Sequence, residues 1–170
     1  MTTKETTLYN LNFAQVKSYI FAALFICGNI AFPQLCHLYP QGGLIMLPIY
    51  FFTLIAAYKY GIKVGLMTAI LSPVINHLFF AMPSAAVLPI ILVKSSLLAV
   101  AASFIASKVG KVSLLAVTVA VLSYQLIGGI VECAMTGSLS AAMQDIWLGY
   151  PGIAFQILGG YAALKYLLKK

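Results

Sequence analysis

Charged residues are scarce in this sequence, and acidic ones are scarcest of all. Only 8% of the 170 residues are charged, with three Asp or Glu against ten Lys or Arg, whereas an average soluble domain is about 25% charged. This scarcity excludes an ordinary water-soluble fold. Hydrophobic residues make up 62% of the chain, and they recur in runs of about 20 residues, long enough to cross a hydrocarbon core about 30 Å thick. We therefore predict an all-α integral membrane protein with a single membrane domain, residues 1–170.

Sequence motifs of enzymes are also missing. There is no G-x-S-x-G, no H-E-x-x-H and no P-loop, and the two histidines have no spacing typical of a catalytic set. We expect a protein that is not an enzyme, so any ATP it depends on is hydrolysed by another chain. One enzymatic alternative stays open: an intramembrane serine protease that pairs Ser72 or Ser123 with His77.

Cysteine and histidine are too few and too scattered to predict a metal site. The three cysteines, Cys27, Cys36 and Cys133, are odd in number and lack metal-ligand spacing. Cys36 and His37 are adjacent, but two neighbouring residues without further partners do not define a site. We expect no metal, no cofactor and no disulfide framework.

The apolar segments divide the chain into six predicted transmembrane spans. Glycine, proline and lysine mark the short connections, which contain YPQGG, YKYGIK, AMPSA, SKVGK and MTGS. The predicted spans cover residues 14–35, 44–60, 62–82, 86–107, 111–135 and 147–167.

Lysines lie in alternate connections, as the positive-inside rule requires of cytoplasmic loops. The first, third and fifth connections contain no Lys or Arg. The net charge of +7 therefore indicates a membrane topology with both termini in the cytoplasm, and it does not indicate nucleic-acid binding. Lys94, inside the fourth span, is the one exception. The lysines that fit are Lys4, Lys17, Lys59, Lys63, Lys108, Lys111, Lys165, Lys169 and Lys170.

Polar residues concentrate in the outer half of the predicted bundle. Lys94 lies about two helical turns below the outer surface, and Glu132 lies at the same depth on the fifth span. Gln125, Gly128, Gly129 and Glu132 share one face of that span, where the glycines allow close approach. Ionisable groups in a membrane are costly, so they face a cavity or one another. We predict an outward-opening pocket whose binding residues are Asn76, His77, Lys94, Gln125, Glu132 and Trp147.

Simpler interpretations of these residues stay open. Lys94 and Glu132 can form a purely structural ion pair. His77 can be an interfacial side chain, and Trp147 and Tyr150 can belong to an aromatic belt at the membrane surface. The same outer half also contains Asn29, Cys36, Asp145, Tyr150 and Gln156.

Two connections carry a resemblance to a known family. In AAYKYGIKVGLMTAILSPVINHLFFAMPSAAVLP, a short basic turn with Gly61 and Gly65 joins the second and third spans, and the segment Met82–Pro89 joins the third and fourth. With six short-looped spans and cytoplasmic termini, this pattern resembles the substrate-binding S components of energy-coupling factor (ECF) transporters, which take up vitamins in prokaryotes. The resemblance covers nearly the whole chain. It implies an ECF S-component-like bundle in the prokaryotic cytoplasmic membrane.

The resemblance further implies partners. S components work with a membrane-embedded coupling (T) protein and two ATPase subunits, and they dock onto the T protein through small residues at every fourth position of the first helix. Such spacing lets helix backbones approach closely in lipid. A simpler role for such a stripe is packing within the bundle. The candidate stripe is Ala23, Cys27 and Ala31, with Ala14, Ser18 and Ala22 as an alternative register.

A gate over the ligand is also implied by the resemblance. It is the connection after the first span, PQLCHLYPQGG, residues 33–43, with Pro33, His37, Gly42 and Gly43 as its main positions. Family members that bind nickel or cobalt resemble one another in a histidine close to the N-terminus, and MTTKETT has none. We therefore expect an organic, vitamin-like ligand.

Lys94 is the residue on which the functional interpretations differ. In a capture subunit, Lys94 is expected to attract an anionic group of the ligand, while Glu132 and Gln125 form hydrogen bonds with it. The alternative is a self-sufficient secondary carrier or small channel in which Lys94 and Glu132 relay ions or protons. Carriers of that type often show paired broken helices or repeats, and the sequence pattern shows neither. A third interpretation is a structural membrane subunit that binds nothing.

Overall fold

The computed structural model describes residues 8–167, and every regular element in this range is a helix. The helices are α1 (Val16–Cys36), α2 (Gly42–Met46), a 3₁₀ turn (Pro48–Tyr50), α3 (Phe51–Tyr60), α4 (Ile62–Phe80), α5 (Leu88–Val109), α6 (Leu114–Thr136), α7 (Leu139–Trp147) and α8 (Tyr150–Ala162), which continues as a π-helical turn (Ala163–Leu167).

Four of these helices are long and apolar enough to cross a membrane. They are α1, α4, α5 and α6, with 21, 19, 22 and 23 residues, and they correspond to the first, third, fourth and fifth predicted spans. Gly110 and Gly137 end α5 and α6 with positive φ angles of 68° and 66°, a conformation that glycine adopts without strain. The all-helical class is therefore confirmed for the described residues, with four helices that could span a membrane, while the count of six spans stays a prediction.

The second predicted span, residues 44–60, is not one continuous helix. Leu47 adopts a left-handed conformation (φ 46°, ψ 48°) between α2 and the 3₁₀ turn. Pro48 follows it, and proline disfavours the right-handed helical conformation in the residue before it and cannot donate a backbone hydrogen bond. The apolar composition of this segment is unbroken, so hydropathy did not reveal the interruption.

The sixth predicted span, residues 147–167, also begins differently from the expectation. Trp147 ends a separate helix, α7, which starts at Leu139 within the connection predicted after the fifth span. Ser138 caps α7 by accepting a hydrogen bond from the amide of Ala141 at 3.2 Å. The chain then turns at Gly149, and α8 begins at Tyr150.

The short helix α3 forms the centre of the bundle. It packs against α1, α4, α5 and α8, and all its residues from Thr53 to Tyr60 are buried. Close packing is possible because Gly65 of α4 lies against Ala57, where a β-carbon on the glycine would come within 2.5 Å of the alanine β-carbon. The long helices surround α3 and expose large apolar side chains outward, among them Ile20, Leu78, Leu115 and Ile130.

The basic connections meet at one end of the molecule. The amide of Tyr9 donates to the carbonyl of Lys59 at 2.7 Å, and Lys63 donates to the side chain of Asn12. The Tyr58 hydroxyl donates to the carbonyl of Lys111 at 2.9 Å. This clustering matches a cytoplasmic end. Lys4, Lys169 and Lys170, which the topology prediction also uses, lie outside the described residues.

Candidate functional site

Lys94 is held between two carboxylates from two other helices. Its Nζ donates to Glu132 Oε2 of α6 and to Asp145 Oδ2 of α7, each at 2.6 Å. Only 2% of Lys94 is exposed, so its charge would be costly without these partners. The Lys94–Glu132 pair expected from their common depth is therefore present, and Asp145 adds a third member. We refer to Lys94, Glu132 and Asp145 as the charged triad.

A glycine on α6 makes room for the lysine side chain. A β-carbon at Gly128 would lie 2.8 Å from Lys94 Cγ and 3.2 Å from its Cε. Gly128 lies one turn before Glu132 on the same face, so the lysine stem crosses α6 at the glycine before its ammonium reaches the carboxylate. Gly129 does not have this role. A β-carbon added there would come no nearer than 3.7 Å to another group, the Ala142 carbonyl oxygen, which is an ordinary contact distance.

The triad changes the expected role of Lys94. Glu5 is the only other acidic residue of the chain and lies outside the described range, so both acids between residues 8 and 167 bind this one lysine. One ammonium between two carboxylates has a formal net charge of −1. An anionic ligand group would meet two carboxylates beside that ammonium, so the geometry does not favour attraction of an anion by Lys94.

Sequence reasoning placed Asp145 in the outer half but did not include it among the binding residues. The reason is that α7 was treated as a connection, and the position of Asp145 depends on how α7 folds back onto α6. A usable signal was present: Ser138 is a helix-capping residue, and an acid is unusual in so apolar a chain.

Gln125 belongs to a second polar cluster near the helix interruption. The Tyr124 hydroxyl donates to Gln156 Oε1 at 2.8 Å and accepts from Gln125 Nε2 at 3.1 Å. Gln156 Nε2 in turn donates to the carbonyl of Leu47 at 3.4 Å, beside the break in the second span. The ring of Tyr50 lies 5.2 Å from that of Tyr124. Gln125 is thus buried and bonded within the protein.

Asn76 lies in a third cluster that joins α1 to α4. Its Nδ2 donates to the backbone carbonyl of Asn29 at 2.9 Å. That carbonyl has no helical partner because the residue four positions later is Pro33, which has no amide hydrogen. The side chain of Asn29 bonds Thr53 and Ser72 at 2.9 and 3.3 Å and accepts from the amide of Phe52 at 3.2 Å. This position gives Asn76 a structural role.

His77 and Trp147 lie at the margins of the bundle. The Nδ1 of His77 lies 2.7 Å from the carbonyl oxygen of Pro83, so the ring ties the end of α4 to the following connection. Trp147 is 74% exposed and lines a small surface cavity of about 520 Å³ with residues of α7 that include Gln144. Of the six predicted binding residues, the structure brings only Lys94 and Glu132 into direct contact with each other. The contacts described for the other four, Asn76, His77, Gln125 and Trp147, are with other parts of the protein.

The predicted gate, residues 33–43, is partly helical. Pro33 is buried inside the last turns of α1, and Gly42 and Gly43 begin α2. Only residues 37–41 between these helices are irregular. Gly43 packs on the ring of the exposed His37. A β-carbon added to Gly43 would lie 2.5 Å from the Cε1 atom of that ring. The segment predicted as the gate, residues 33–43, thus consists of the end of α1, a five-residue turn and the start of α2, and its role as a gate stays a prediction.

The two candidate docking registers on α1 differ in accessibility. Ser18 and Ala22 are buried in the bundle, and Ala14 precedes the helix. Ala23, Cys27 and Ala31 are exposed along one side of α1. Cys27 and Ala31 also line an open apolar groove of about 940 Å³ between α1, α3 and α8, with Phe52 and Phe155 on its other walls. Only the first register is accessible to a partner.

No cluster of three or more His, Cys, Asp or Glu residues that could hold a metal ion occurs in the described part of the chain. Comparison with known proteins identifies no family: no family model matches the chain, and no curated protein or solved structure is significantly similar to it.

Proposed function

We propose that this chain is a membrane-embedded capture subunit that binds a small organic, vitamin-like solute at the outer side of its bundle. The observation that carries the proposal is the charged triad. Three ionisable side chains from three helices converge in a chain that is otherwise almost without acids. Burying these charged groups costs free energy, whereas burying apolar side chains at the same place does not.

The position of the triad supports a solute from outside. The lysine-rich connections lie at the opposite ends of α5 and α6 from Lys94 and Glu132, and lysines mark the cytoplasmic side. Glu132 and Asp145 are not sealed off, since 14% and 16% of their side chains are exposed. A solute that reaches this end therefore meets charged groups held in fixed positions.

The accessible side of α1 supports a coupled mode of action. In the proposal, Ala23, Cys27 and Ala31 contact a separate T protein, which two ATPase subunits drive, as in the ECF S components that the sequence resembles. The exposed small side chains and the adjoining apolar groove fit close contact with a helix in lipid. Six spans with cytoplasmic termini, in a prokaryotic inner membrane, form part of the same proposal.

Binding by the purified chain tests this function. Native mass spectrometry in detergent, followed by thermal-shift screening against a vitamin panel, is expected to find one compound class bound at nanomolar to micromolar dissociation constants, roughly 8 to 12 kcal/mol. A triple variant, Lys94→Met with Glu132→Gln and Asp145→Asn, removes every triad charge and is expected to lose the compound. Lys108→Met, which neutralises an exposed lysine on the same helix, should retain it. Failure of wild type to bind any compound would contradict capture.

A self-sufficient secondary carrier is the second candidate, and the interrupted second span favours it. Interrupted helices supply backbone groups to substrate or ion sites in many carriers, and Leu47 lies at a helix break where its carbonyl accepts a hydrogen bond from the Gln156 side chain. Proteoliposomes that contain only this chain distinguish the two. A carrier accumulates the bound compound under an imposed ion gradient, whereas a capture subunit accumulates it only with coupling proteins and ATP.

A further inference from the structure

The apolar groove between α1, α3 and α8 is closed at the end furthest from the basic connections. There the ring centroids of Phe32, Phe51 and Phe155 lie 4.8 to 5.8 Å apart and join the three helices. Among the side chains that line the groove, only those of Cys27 and Tyr166 carry a polar atom. The groove therefore offers almost no hydrogen bonds that could orient a polar solute, and its occupant is expected to be apolar.

The length of the groove matches the thickness of one membrane leaflet. Its lining residues on α8 and the following π-helical turn run from Phe155 to Tyr166, a rise of about 16 Å. Half of a hydrocarbon core about 30 Å thick is about 15 Å. An acyl chain that enters at the Tyr166 end would therefore reach the ring cluster at about the depth where its own leaflet ends.

Two lysines lie at the open end of the groove. Lys17 is exposed and precedes Leu24, the first groove residue of α1, by seven residues, so it lies two turns away on the same side of the helix. The Nζ of Lys165 lies 5.4 Å from the centroid of the Tyr166 ring and donates to the Tyr161 hydroxyl at 2.7 Å. Long lysine stems let both ammonium groups reach the level of the lipid headgroups.

The charge of this end favours an anionic headgroup. The two acids between residues 8 and 167, Glu132 and Asp145, both bind Lys94, which lies at the opposite end of its helix from the basic connections. Neither acid therefore competes for the lysines beside the groove. Lysines at a membrane surface attract anionic lipids, with a gain of about fivefold in affinity for each lysine.

We propose that the groove binds an acyl chain of an anionic phospholipid, whose headgroup lies beside Lys17 and Lys165. This site goes beyond the capture function and does not depend on it, since it lies at the other end of the bundle from the charged triad. Cys27 and Ala31 belong both to the groove and to the accessible register of α1. A helix of another protein is therefore the competing occupant.

The test measures headgroup preference and groove occupancy separately. Native mass spectrometry in detergent uses equimolar phosphatidylglycerol and phosphatidylcholine with identical acyl chains. Lys17→Gln/Lys165→Gln removes the charges beside the groove, and Lys108→Gln/Lys111→Gln removes two charges elsewhere at the basic end. Ala162→Phe fills the groove, whereas Ala154→Phe places the same ring on an exposed position of α8 outside it.

Wild type is expected to bind phosphatidylglycerol more tightly than phosphatidylcholine. Lys17→Gln/Lys165→Gln should lose about fivefold of this preference for each lysine, while Lys108→Gln/Lys111→Gln keeps it. Ala162→Phe should weaken the binding of both lipids at least about tenfold, because the acyl chain then buries fewer methylene groups. Ala154→Phe should bind both lipids as wild type does.

Three results would overturn the proposal. The first is a wild type that binds no lipid or prefers neither headgroup, and the second is equal lipid binding by wild type and Ala162→Phe. If that unchanged lipid binding is accompanied by loss of a copurifying membrane protein, the groove belongs to a partner helix. The third is equal loss of headgroup preference in the two lysine pairs, a comparison that still decides if Ala162→Phe does not fold.

Discussion

The side chain of Lys94 crosses α6 directly over Gly128, and a β-carbon on that glycine would come within 2.8 Å of the lysine Cγ. This close approach lets a lysine on α5 reach a carboxylate on α6 although both helices are mostly apolar. The fit of one long side chain over one glycine is a packing requirement that can be measured separately from any ligand.

Gly128→Ala is expected to destabilise the protein by about 1 to 2 kcal/mol. Adding a methyl group to a well-packed contact costs about 1 to 3 kcal/mol, and the higher helix propensity of alanine offsets only part of that cost. Gly129→Ala is the matched control, because a β-carbon there meets only an ordinary contact at 3.7 Å, so it should be neutral or stabilising. The free energy of unfolding in detergent measures both. Equal stability of the two variants would show that Gly128 does not accommodate the lysine.

Lys94→Met is expected to lower the free energy of unfolding by about 3 kcal/mol, since it leaves two partly buried carboxylates facing each other without a cation. Lys108→Met removes the same charge from the exposed end of the same helix and should change stability by no more than about 0.5 kcal/mol. Denaturant titrations of the two variants provide the comparison. A similar small effect for both would mean that the triad is not formed.

Asn76→Ala is expected to cost about 1 to 3 kcal/mol, because the Asn29 carbonyl then loses the side-chain donor that replaces the bond that Pro33 cannot make. The specific test is a double-mutant cycle with Pro33→Ala, which restores an amide hydrogen four residues after Asn29. In that background, Asn76→Ala should cost about 1 kcal/mol less. Strict additivity of the two changes would exclude the compensation.

Ala22→Leu and Ala23→Leu distinguish the inner and outer sides of α1. Ala22 is buried, so the larger side chain there is expected to destabilise the bundle by about 1 to 3 kcal/mol. Ala23 is exposed, so Ala23→Leu should keep the stability of wild type. If α1 docks a coupling protein through this register, Ala23→Leu also weakens copurification with the coupling proteins in the membranes of the source cell. Destabilisation by Ala23→Leu would show that this side of α1 is covered within the chain.

Hydropathy and helix punctuation predicted the long helices closely because both depend on local composition. Gly110 and Gly137 end their helices where the sequence places turn signals. The pairing of Lys94 with Glu132 was also foreseeable, since helix rise gives both residues the same depth and a buried ion requires a partner.

The composition and spacing of this sequence by themselves determined a helical membrane protein, four of its long helices, and the residue pair at the centre of its candidate site. Tertiary structure alone decided that α7 folds back to bring Asp145 onto Lys94, and that Ala23, not Ala22, is accessible. The physical reason is that periodicity and hydropathy describe one helix in a uniform solvent. Net charge, close approach and exposure depend instead on which side chains of different helices meet.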